Sequence, residues 1–268
     1  MKVRNKVVVV TGGGNGIGRE LVLNLLSRGA CAAAVDISEP ALQETVALAG
    51  ANQDRLSTHV VNITDRAAVE ALPDQVIAEQ GAVDGLINCA GIIQPFVKLN
   101  ELGFDAIERV MNVNFYGTLY MTKTFLPHLL ERPEAHITNI SSMGGFLPVP
   151  GQTIYGASKA AVKLMTEGLN SELRNTNVGV TVVFPGAIGT DIAAHSGVEI
   201  DIGADTSEAA ARTTPPSEAA AKILDGMEKG RYRVLIGSDA ALMDFLYRLS
   251  PKRAAGFIYS QMKELLGE

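Results

Sequence analysis

The sequence predicts an α/β fold in which helices cover both faces of a doubly wound parallel sheet. Short apolar runs alternate with longer segments of helical periodicity along most of the chain, which is the pattern of βαβ units. There are seven such runs and no linker-like stretch, so we expect a single domain over residues 1–268. The predicted strands are Lys6–Val10, Cys31–Val35, Leu56–Val61, Gly85–Asn88, His136–Ile140, Val178–Phe184 and Arg233–Ile236.

Helical segments lie between these strands. Pro73 falls inside the third of them and lacks a backbone donor, so we expect that helix to begin or kink there. Residues 187–216 are the least regular part of the chain, which is typical of a substrate-binding loop. Residues 239–268 form a C-terminal helical tail. The predicted helices are Gly16–Ser27, Pro40–Leu48, Asp65–Glu79, Phe104–Leu130, Thr153–Asn175 and Ser217–Glu228.

Composition and charge argue against several classes of protein. The chain is 47% hydrophobic, has a net charge of −6 and contains no Lys/Arg run, so no nucleic-acid partner is expected. No apolar stretch is long enough to span a bilayer, and the N-terminus reaches glycines too soon for a signal peptide. Cys31 and Cys89 lie in apolar runs without metal-ligand spacing. These features predict inert thiols, no metal site and a cytoplasmic location.

A glycine-rich segment, TGGGNGIG from Thr11 to Gly18, follows the first predicted strand. Its glycines permit a tight turn and let a pyrophosphate approach the N-terminus of the next helix, as in a dinucleotide-binding Rossmann fold. Asp36 ends the second strand, where a carboxylate accepts hydrogen bonds from the adenosine ribose and repels the 2′-phosphate of NADP. Neither Asn15 nor Ile37 offers a cation to that phosphate, so the predicted cofactor is NAD.

Tyr155 and Lys159 are four residues apart in YGASK, and Ser142 lies upstream. On a helix, residues i and i+4 share a face, so the phenol and the ammonium reach the same space. The positive charge is expected to lower the pKa of the phenol and so allow it to exchange a proton near neutral pH. The serine hydroxyl can hold the oxygen of a carbonyl or alcohol meanwhile.

These motifs resemble those of the short-chain dehydrogenase/reductase family in its compact single-domain form. The resemblance runs from Val7 to about Ile236 and extends to NCAG from Asn88, NVNFYG around Asn114, NISSMGG around Ser142 and PGAIGT from Pro185. Two departures are Cys89, where the family often has a second asparagine, and Asn62, where it often has an aspartate. Neither departure touches the catalytic set.

The resemblance implies a catalytic role for four residues. Tyr155 would be the general acid/base, and Ser142, rather than its neighbour Ser141, would hold the substrate oxygen. Lys159 would bind the nicotinamide ribose and lower the pKa of the tyrosine. Asn114, on a locally distorted helix, would position a water that relays protons to Lys159.

The resemblance also implies the cofactor contacts. The segment from Asn88 to Gly91 would line the adenosine-ribose side and stabilise the central strand, and the segment from Pro185 to Thr190 would pack against the nicotinamide. The expected cofactor-binding residues are Gly12, Gly14, Asn15, Gly16, Ile17, Gly18, Asp36, Asn62, Ile63, Asn88, Ala90, Gly91, Tyr155, Lys159, Pro185, Gly186, Ile188 and Thr190.

The residues expected around the substrate are mainly apolar, which favours a lipophilic ketone or secondary alcohol. Gln94, Met143, Phe146, Gln152 and Ile192 are the named candidates for contact. The covering loop is acidic, which argues against phosphorylated, coenzyme A-linked or carrier-protein-linked substrates. Its charged residues are Glu199, Asp201, Asp205 and Glu208 against His195 and Arg212.

Two other functions remain open: an NADPH-dependent carbonyl or ketoacyl reductase, and a catalytically silent dinucleotide-binding scaffold.

The resemblance implies a homodimer or homotetramer formed through the long helices Phe104–Leu130 and Thr153–Asn175. The C-terminal tail could cap the cleft, extend a subunit interface or lie on a membrane. Its mixed charge makes the membrane the least expected of the three.

Overall fold

The computed structural model describes residues 1–198 and 213–263 of the chain. Part of the irregular 187–216 segment and the last five residues of the tail therefore lie outside the described residues. The loop charges Glu199, Asp201, Asp205, Glu208 and Arg212 lie outside them as well.

Seven parallel strands form one sheet in the order β3-β2-β1-β4-β5-β6-β7. This confirms the predicted doubly wound Rossmann fold. The order reverses direction between β1 and β4, so the carboxyl ends of these two strands form the crevice in which such folds bind ligands. The strands are β1 Val7–Thr11, β2 Cys31–Asp36, β3 Leu56–Val60, β4 Gly85–Asn88, β5 Ala135–Ile140, β6 Val178–Pro185 and β7 Arg233–Ile236.

The helices agree with the predicted ones to within about three residues, and three more are found near the C-terminus and in the 187–216 segment. A π-helical turn, Asn112–Gly117, joins α4 to α5 and interrupts the predicted helix Phe104–Leu130. The helices are α1 Gly16–Ser27, α2 Glu39–Ala49, α3 Arg66–Gln80, α4 Phe104–Met111, α5 Thr118–Leu130, α6 Thr153–Glu172, α7 Ile192–His195, α8 Pro216–Glu228, α9 Ser238–Leu249 and α10 Pro251–Met262.

Of the two alternatives expected at Pro73, a helix start or a kink, the start is wrong. Helix α3 begins at Arg66, because the Asp65 carboxylate caps it by accepting from the backbone N–H groups of Ala67 and Ala68. The helix then continues through Pro73, which is buried against the core.

The core consists of two apolar layers, one on each face of the sheet. Alternation along β1 divides its residues between them: Val8 and Val10 pack with α1 and α8, whereas Val7 and Val9 pack with α3, α5 and α6. The sheet is thus covered on both faces, and its polar loops collect at the carboxyl ends of the strands.

The C-terminal tail packs on the segment that follows β5. Met243 of α9 and Ala254 and Ile258 of α10 form a separate apolar cluster with Leu147, against which Phe146 also packs. The tail therefore covers the segment after Ser142, next to the predicted site. Among the described helices, none is both long and apolar enough to cross a membrane.

Candidate active site

A cleft of about 800 Å³ opens at the carboxyl ends of β1, β2, β4, β5 and β6. It is lined by the glycine-rich loop at one end and by Ser142, Tyr155 and Lys159 at the other. Of the eighteen predicted cofactor-binding residues, sixteen line it, and the exceptions are Gly14 and Asn88. The sequence motifs, which are far apart along the chain, therefore meet in one cavity.

The glycine-rich loop has no room for side chains where the chain turns. Gly12 and Gly16 have φ angles of 72° and 50°, in the left-handed region that favours glycine. A Cβ atom on Gly18 would overlap the backbone carbonyl of Gly12. The loop consequently holds its backbone against the start of α1, in the geometry that accepts a pyrophosphate.

Two carboxylates line the cleft near the glycine-rich loop. The Asp36 carboxylate accepts from the backbone N–H groups of Gly14 and Ser38, both at 3.0 Å. Glu44 also lines the cleft and pairs with Arg19 at 2.7 Å. The sequence analysis identified Asp36 but missed Glu44, which comes from the facing helix α2 and carries no motif.

The side chains of Asn62 and Asn88 make different contacts. The Asn62 side chain lines the cleft and accepts from the Thr64 backbone N–H at 3.0 Å, which shapes the turn after β3. Asn88 is 2% exposed and donates to Thr122 and Asn139, at 3.0 and 2.8 Å. It ties β4 to α5 and β5, so the structure does not bring its side chain to the cleft.

Ser142 and Tyr155 approach each other across the cleft. Ser142 follows β5 and its hydroxyl accepts from the backbone N–H of Gly144 at 3.0 Å. Its hydrogen bond with the Tyr155 phenol acts to lower the pKa of Tyr155. Ser141 instead points away, donating to the backbone carbonyl of Lys159 at 2.8 Å, as strand alternation requires.

The pKa of Tyr155 is shifted upward, opposite to the expected direction. Burial raises it, and the hydrogen bond with Ser142 offsets this only in part. The Lys159 ammonium donates to the carbonyl of Ile140 at 3.1 Å and lies 6.0 Å from the centre of the Tyr155 ring. Burial also lowers the pKa of Lys159 to about 8.

Asn114 lies in the π-helical turn, as the expected helix distortion requires. Its side-chain oxygen accepts from the backbone N–H of Ile92, and its amide donates to the carbonyl of Ile92 and to Ser158, all at 2.9–3.0 Å. Asn114 therefore fixes the segment after β4 to helix α6. It forms part of the wall behind Lys159 rather than of the cleft surface.

Gln94 and Gln152 are buried beneath the site, not exposed in the cleft. Gln94 is 0% exposed, and its side-chain oxygen accepts from the backbone N–H groups of Ile154 and Tyr155, at 2.8 and 2.9 Å. Gln152 in turn donates to the backbone carbonyl of Gln94 at 2.8 Å. Gln94 thus caps the helix that carries Tyr155, so the expected substrate contact is replaced by a positioning contact.

Replacing Gln94 with leucine is expected to lower the free energy of unfolding by about 2–5 kcal/mol, because buried backbone donors lose their acceptor. Turnover should fall as well, since the first turn of α6 places Tyr155. Thermal unfolding and steady-state assays would measure both. Gln43→Leu, on the exposed side of α2, is the control. If Gln94→Leu matched this control in both measurements, the capping role would be wrong.

Of the three apolar residues predicted to touch substrate, only Ile192 lines the cleft. Met143 and Phe146 pack instead against the tail cluster around Met243 and Ile258. The tail helices that partly cover them lie about a hundred residues further along the chain, so the sequence around Met143 and Phe146 does not indicate this packing.

A short segment around α7 lines one wall of the cleft. The Ser196 hydroxyl accepts from the backbone N–H of Ile93 at 3.0 Å, and the Ser196 carbonyl accepts from Arg109 at 2.9 Å. Arg109 and His195 both line the cleft there. No pattern in the sequence pointed to Arg109 or Ser196, because their pairing depends on how α7 folds back over α4.

The segment from Pro185 to Thr190 is held by the first turn of the tail. The Asp239 carboxylate accepts from the backbone N–H of Ala187 at 2.8 Å and fills the space beside Gly186 that a Cβ would need. Asp239 thereby fixes the wall of the cleft formed by Pro185, Gly186, Ile188 and Thr190.

Cys89 lines the cleft, whereas Cys31 does not. Cys31 and Cys89 are free thiols, and burial raises the pKa of Cys89 to about 12. Over residues 1–198 and 213–263, no three His, Cys, Asp or Glu side chains are grouped to hold a metal ion.

The fold and the cleft define a dinucleotide-binding protein, and comparison with known proteins identifies its class. A family model described as short chain dehydrogenase matches residues 6–200. The chain belongs to the short-chain dehydrogenase family and is an oxidoreductase of that family. Members of the family bind a nicotinamide dinucleotide.

Two curated relatives illustrate the range of the family. A "putative oxidoreductase SadH" from Mycobacterium tuberculosis is 38% identical over 250 residues, which cover 91% of this chain and 90% of that one. A "3-oxoacyl-[acyl-carrier-protein] reductase FabG" from Thermotoga maritima is 35% identical over 192 residues, which cover 71% of this chain and 77% of that one.

Solved structures of the family include complexes with either dinucleotide. A short-chain dehydrogenase/reductase from Burkholderia phymatum in complex with NAD has a TM-score of 0.79 and 28% identity, over 88% of this chain and 90% of that one. A short-chain dehydrogenase from Burkholderia cenocepacia in complex with NADP has a TM-score of 0.80 and 26% identity, over 96% of this chain and 99% of that one.

Proposed function

We propose that this protein is an NAD-dependent oxidoreductase that interconverts a lipophilic secondary alcohol and its ketone. The observation that carries the proposal is the convergence of Ser142, Tyr155 and Lys159 on the cleft that the glycine-rich loop also lines. A dinucleotide bound along that loop would extend toward these three side chains.

The proposed mechanism assigns the proton steps to residues of the chain. Bound NAD would supply the hydride acceptor. In oxidation, the Tyr155 phenolate takes the proton of the substrate hydroxyl while Ser142 holds the substrate oxygen. Lys159 stabilises the phenolate electrostatically, and Asn114 acts as a positioning residue through Ile92 and Ser158. In reduction, Tyr155 donates its proton to the ketone oxygen.

The cofactor preference is supported by the charges at the adenosine end. Asp36 and Glu44 line this end, and the nearby Arg19 is neutralised by Glu44 and donates to the carbonyl of Gly14 at 2.8 Å. A 2′-phosphate would therefore meet two carboxylates beside a cation that is already paired. The ribose hydroxyls of NAD, by contrast, can donate to Asp36.

Asp36→Ala is expected to weaken NADH binding by about 10- to 100-fold, because hydrogen bonds to a charged group are lost, and to leave NADPH binding equal or tighter. Fluorescence titration of both reduced cofactors measures the ratio. Asp74→Ala, on the exposed face of α3, is the matched control. Tighter binding of NADPH than NADH by the unaltered protein would contradict the cofactor assignment.

The pH dependence of the chemical step follows from the pKa of Tyr155. Burial raises that pKa, so the phenolate required for oxidation becomes more abundant as pH increases. The rate of oxidation should rise about tenfold per pH unit while pH remains below the pKa, and reduction should not rise with it. Single-turnover rates measured in both directions test this. An oxidation rate independent of pH would count against Tyr155 as the base.

The apolar nature of the substrate is supported by the nicotinamide end of the cleft. Ile92, Ile93 and Ile192 line the cleft close to Arg109 and His195. Apolar walls with few polar groups favour a lipophilic substrate.

The alternative of an NADPH-dependent ketoacyl reductase is favoured by one observation, the 35% identity to the reductase from Thermotoga maritima. The carboxylates Asp36 and Glu44 argue against it. The remaining alternative, a silent dinucleotide-binding scaffold, is disfavoured by the presence of Ser142, Tyr155 and Lys159 at one cleft.

The test of the proposed function is NAD⁺ reduction by the purified protein with secondary alcohols that range from small diols to steroids. Activity with bulky apolar alcohols supports the proposal. Activity only with NADPH and ketoacyl substrates would establish the reductase instead. Tight NADH binding without turnover of any substrate would indicate the scaffold.

We also propose a cytoplasmic homodimer or homotetramer formed through α4, α5 and α6. Phe104 on α4, Leu164 on α6 and Tyr116 in the turn between α4 and α5 are large side chains left exposed, which is typical of a subunit contact. Light scattering of the purified protein gives the subunit number.

A further inference from the structure

The two tail helices are apolar on two sides, and only one side is covered. Their inner side packs on Leu147 through Met243 and Ile258. Their outer side carries a stripe of large apolar side chains whose exposure runs from 49% for Phe257 to 68% for Leu249. We call this stripe, formed by Leu242, Phe245, Leu249 and Phe257, the tail stripe.

The tail stripe follows one face of α9 and continues onto α10. Leu242, Phe245 and Leu249 are spaced three and four residues apart, so their side chains share one face of the helix. Phe257 extends the exposed apolar surface after the turn at Ser250 and Pro251. Several large apolar side chains left exposed on neighbouring helices are typical of an interaction site.

Basic residues border the tail stripe. Arg248, Lys252 and Arg253 are exposed beside Leu249. From Phe245 to Lys263 the sequence has four basic residues and no acidic one, although the whole chain has a net charge of −6. Glu264 and Glu268 follow in the part of the tail outside the described residues.

The two acidic residues of α9 both have polar partners, which changes the expectation drawn from the mixed charge of the tail. Asp239 accepts from the backbone N–H of Ala187 at 2.8 Å. Asp244 has a side chain 14% exposed and pairs with Arg233 at 2.9 Å and with Arg248 at 3.0 Å. The outer side of the tail therefore presents apolar and basic groups together.

We propose that α9 and α10 dock the protein on the surface of an anionic lipid bilayer. The tail stripe would enter the interface between headgroups and acyl chains, and Lys252 and Arg253 would contact lipid phosphates. Exposed apolar side chains bordered by basic ones are the pattern of helices that lie in the plane of an anionic membrane.

Charge favours a bilayer over a second copy of the chain as the occupant. A symmetric contact between two tails would bring the same surface against itself, so Arg248, Lys252 and Arg253 would face like charges. An anionic bilayer offers the opposite charge over the whole area. The inference concerns binding and does not depend on the proposed enzymatic reaction.

The test is co-sedimentation of the full-length protein with vesicles of phosphatidylcholine alone or of phosphatidylcholine mixed with phosphatidylglycerol. Binding to the mixed vesicles only, weakened by added salt, is expected. Lys252→Gln/Arg253→Gln should weaken binding on the order of 30-fold. Phe245→Glu/Leu249→Glu should abolish it.

Matched variants separate docking from general effects of charge and apolar exposure. Arg174→Gln/Arg231→Gln removes two exposed charges at the opposite end of the sheet, and Leu48→Glu replaces an apolar side chain that is 56% exposed on α2. Both should bind vesicles as the unaltered protein does. Thermal unfolding and NADH titration of every variant would check that folding and the cofactor cleft are intact.

Two results would overturn the proposal. One is the absence of binding to anionic vesicles by the folded protein. The other is found if the unaltered protein does not bind vesicles and Phe245→Glu/Leu249→Glu lowers the subunit number measured by light scattering. That result would assign the tail stripe to self-association. If vesicle binding is found but no alcohol is oxidised, the docking inference holds and the proposed reaction fails.

Discussion

Tyr155→Phe is expected to lower turnover by about 10²–10⁴-fold or more while NADH affinity changes little. The substitution removes only the phenolic oxygen, which is the group proposed to exchange the proton. The ring keeps its packing in the cleft and the fold of α6 is unaffected, because Gln94 caps that helix through backbone N–H groups and not through the phenol. The loss should therefore appear in kcat rather than in cofactor binding.

The measurement compares steady-state NAD⁺ reduction with fluorescence titration of NADH for the same variant. Tyr232→Phe is the control, since it removes a phenolic oxygen from a side chain that is 46% exposed and does not line the cleft. It should leave both quantities unchanged. Turnover by Tyr155→Phe at the rate of the unaltered enzyme would show that another group carries the proton.

The sheet and most helices could be predicted because their signals are local. The apolar run before TGGGNGIG becomes β1, and the periodic segment after it becomes α1 with the predicted bounds. The same holds for the catalytic pair, since Tyr155 and Lys159 lie one turn apart on α6. In each case residues that are close in sequence determine the result.

The contacts that could not be predicted join distant parts of the chain. Gln94 follows β4 yet caps α6, and Asp239 in the tail holds the backbone of Ala187. The sequence around Gln94 and around Asp239 contains no pattern that indicates a partner so far along the chain. A polar residue near a motif was therefore interpreted as a substrate contact, whereas the packing of the fold gives it a structural partner.

The direction of the pKa shift of Tyr155 could not be predicted from the sequence for the same reason. The spacing to Lys159 predicts a nearby positive charge, and the two groups do share one face of α6. Spacing does not reveal that the ammonium donates to the carbonyl of Ile140, nor that Lys159 is 4% exposed. Burial decides the direction of the shift, and burial is a property of the whole fold.

Gly18→Ala is expected to lower the free energy of unfolding by about 1–3 kcal/mol, because the added methyl group overlaps the backbone carbonyl of Gly12. A backbone atom cannot rotate away as the end of a flexible side chain can, so the loop and α1 must move apart. NADH affinity should fall by about tenfold or more, since the loop then no longer presents its N–H groups to the pyrophosphate at the start of the helix. Chemical denaturation and NADH titration measure the two effects.

Gly256→Ala provides the matched control for this steric argument. Gly256 also lies within a helix, but a Cβ there would meet no atom within 4 Å. Alanine is the better helix former, so this variant should be more stable by about 0.5–1 kcal/mol and should bind NADH unchanged. The same methyl group thus has opposite expected effects at the two positions. If Gly18→Ala were as stable as Gly256→Ala and bound NADH as tightly, the close contact between Gly18 and Gly12 would not be what holds the loop against the helix.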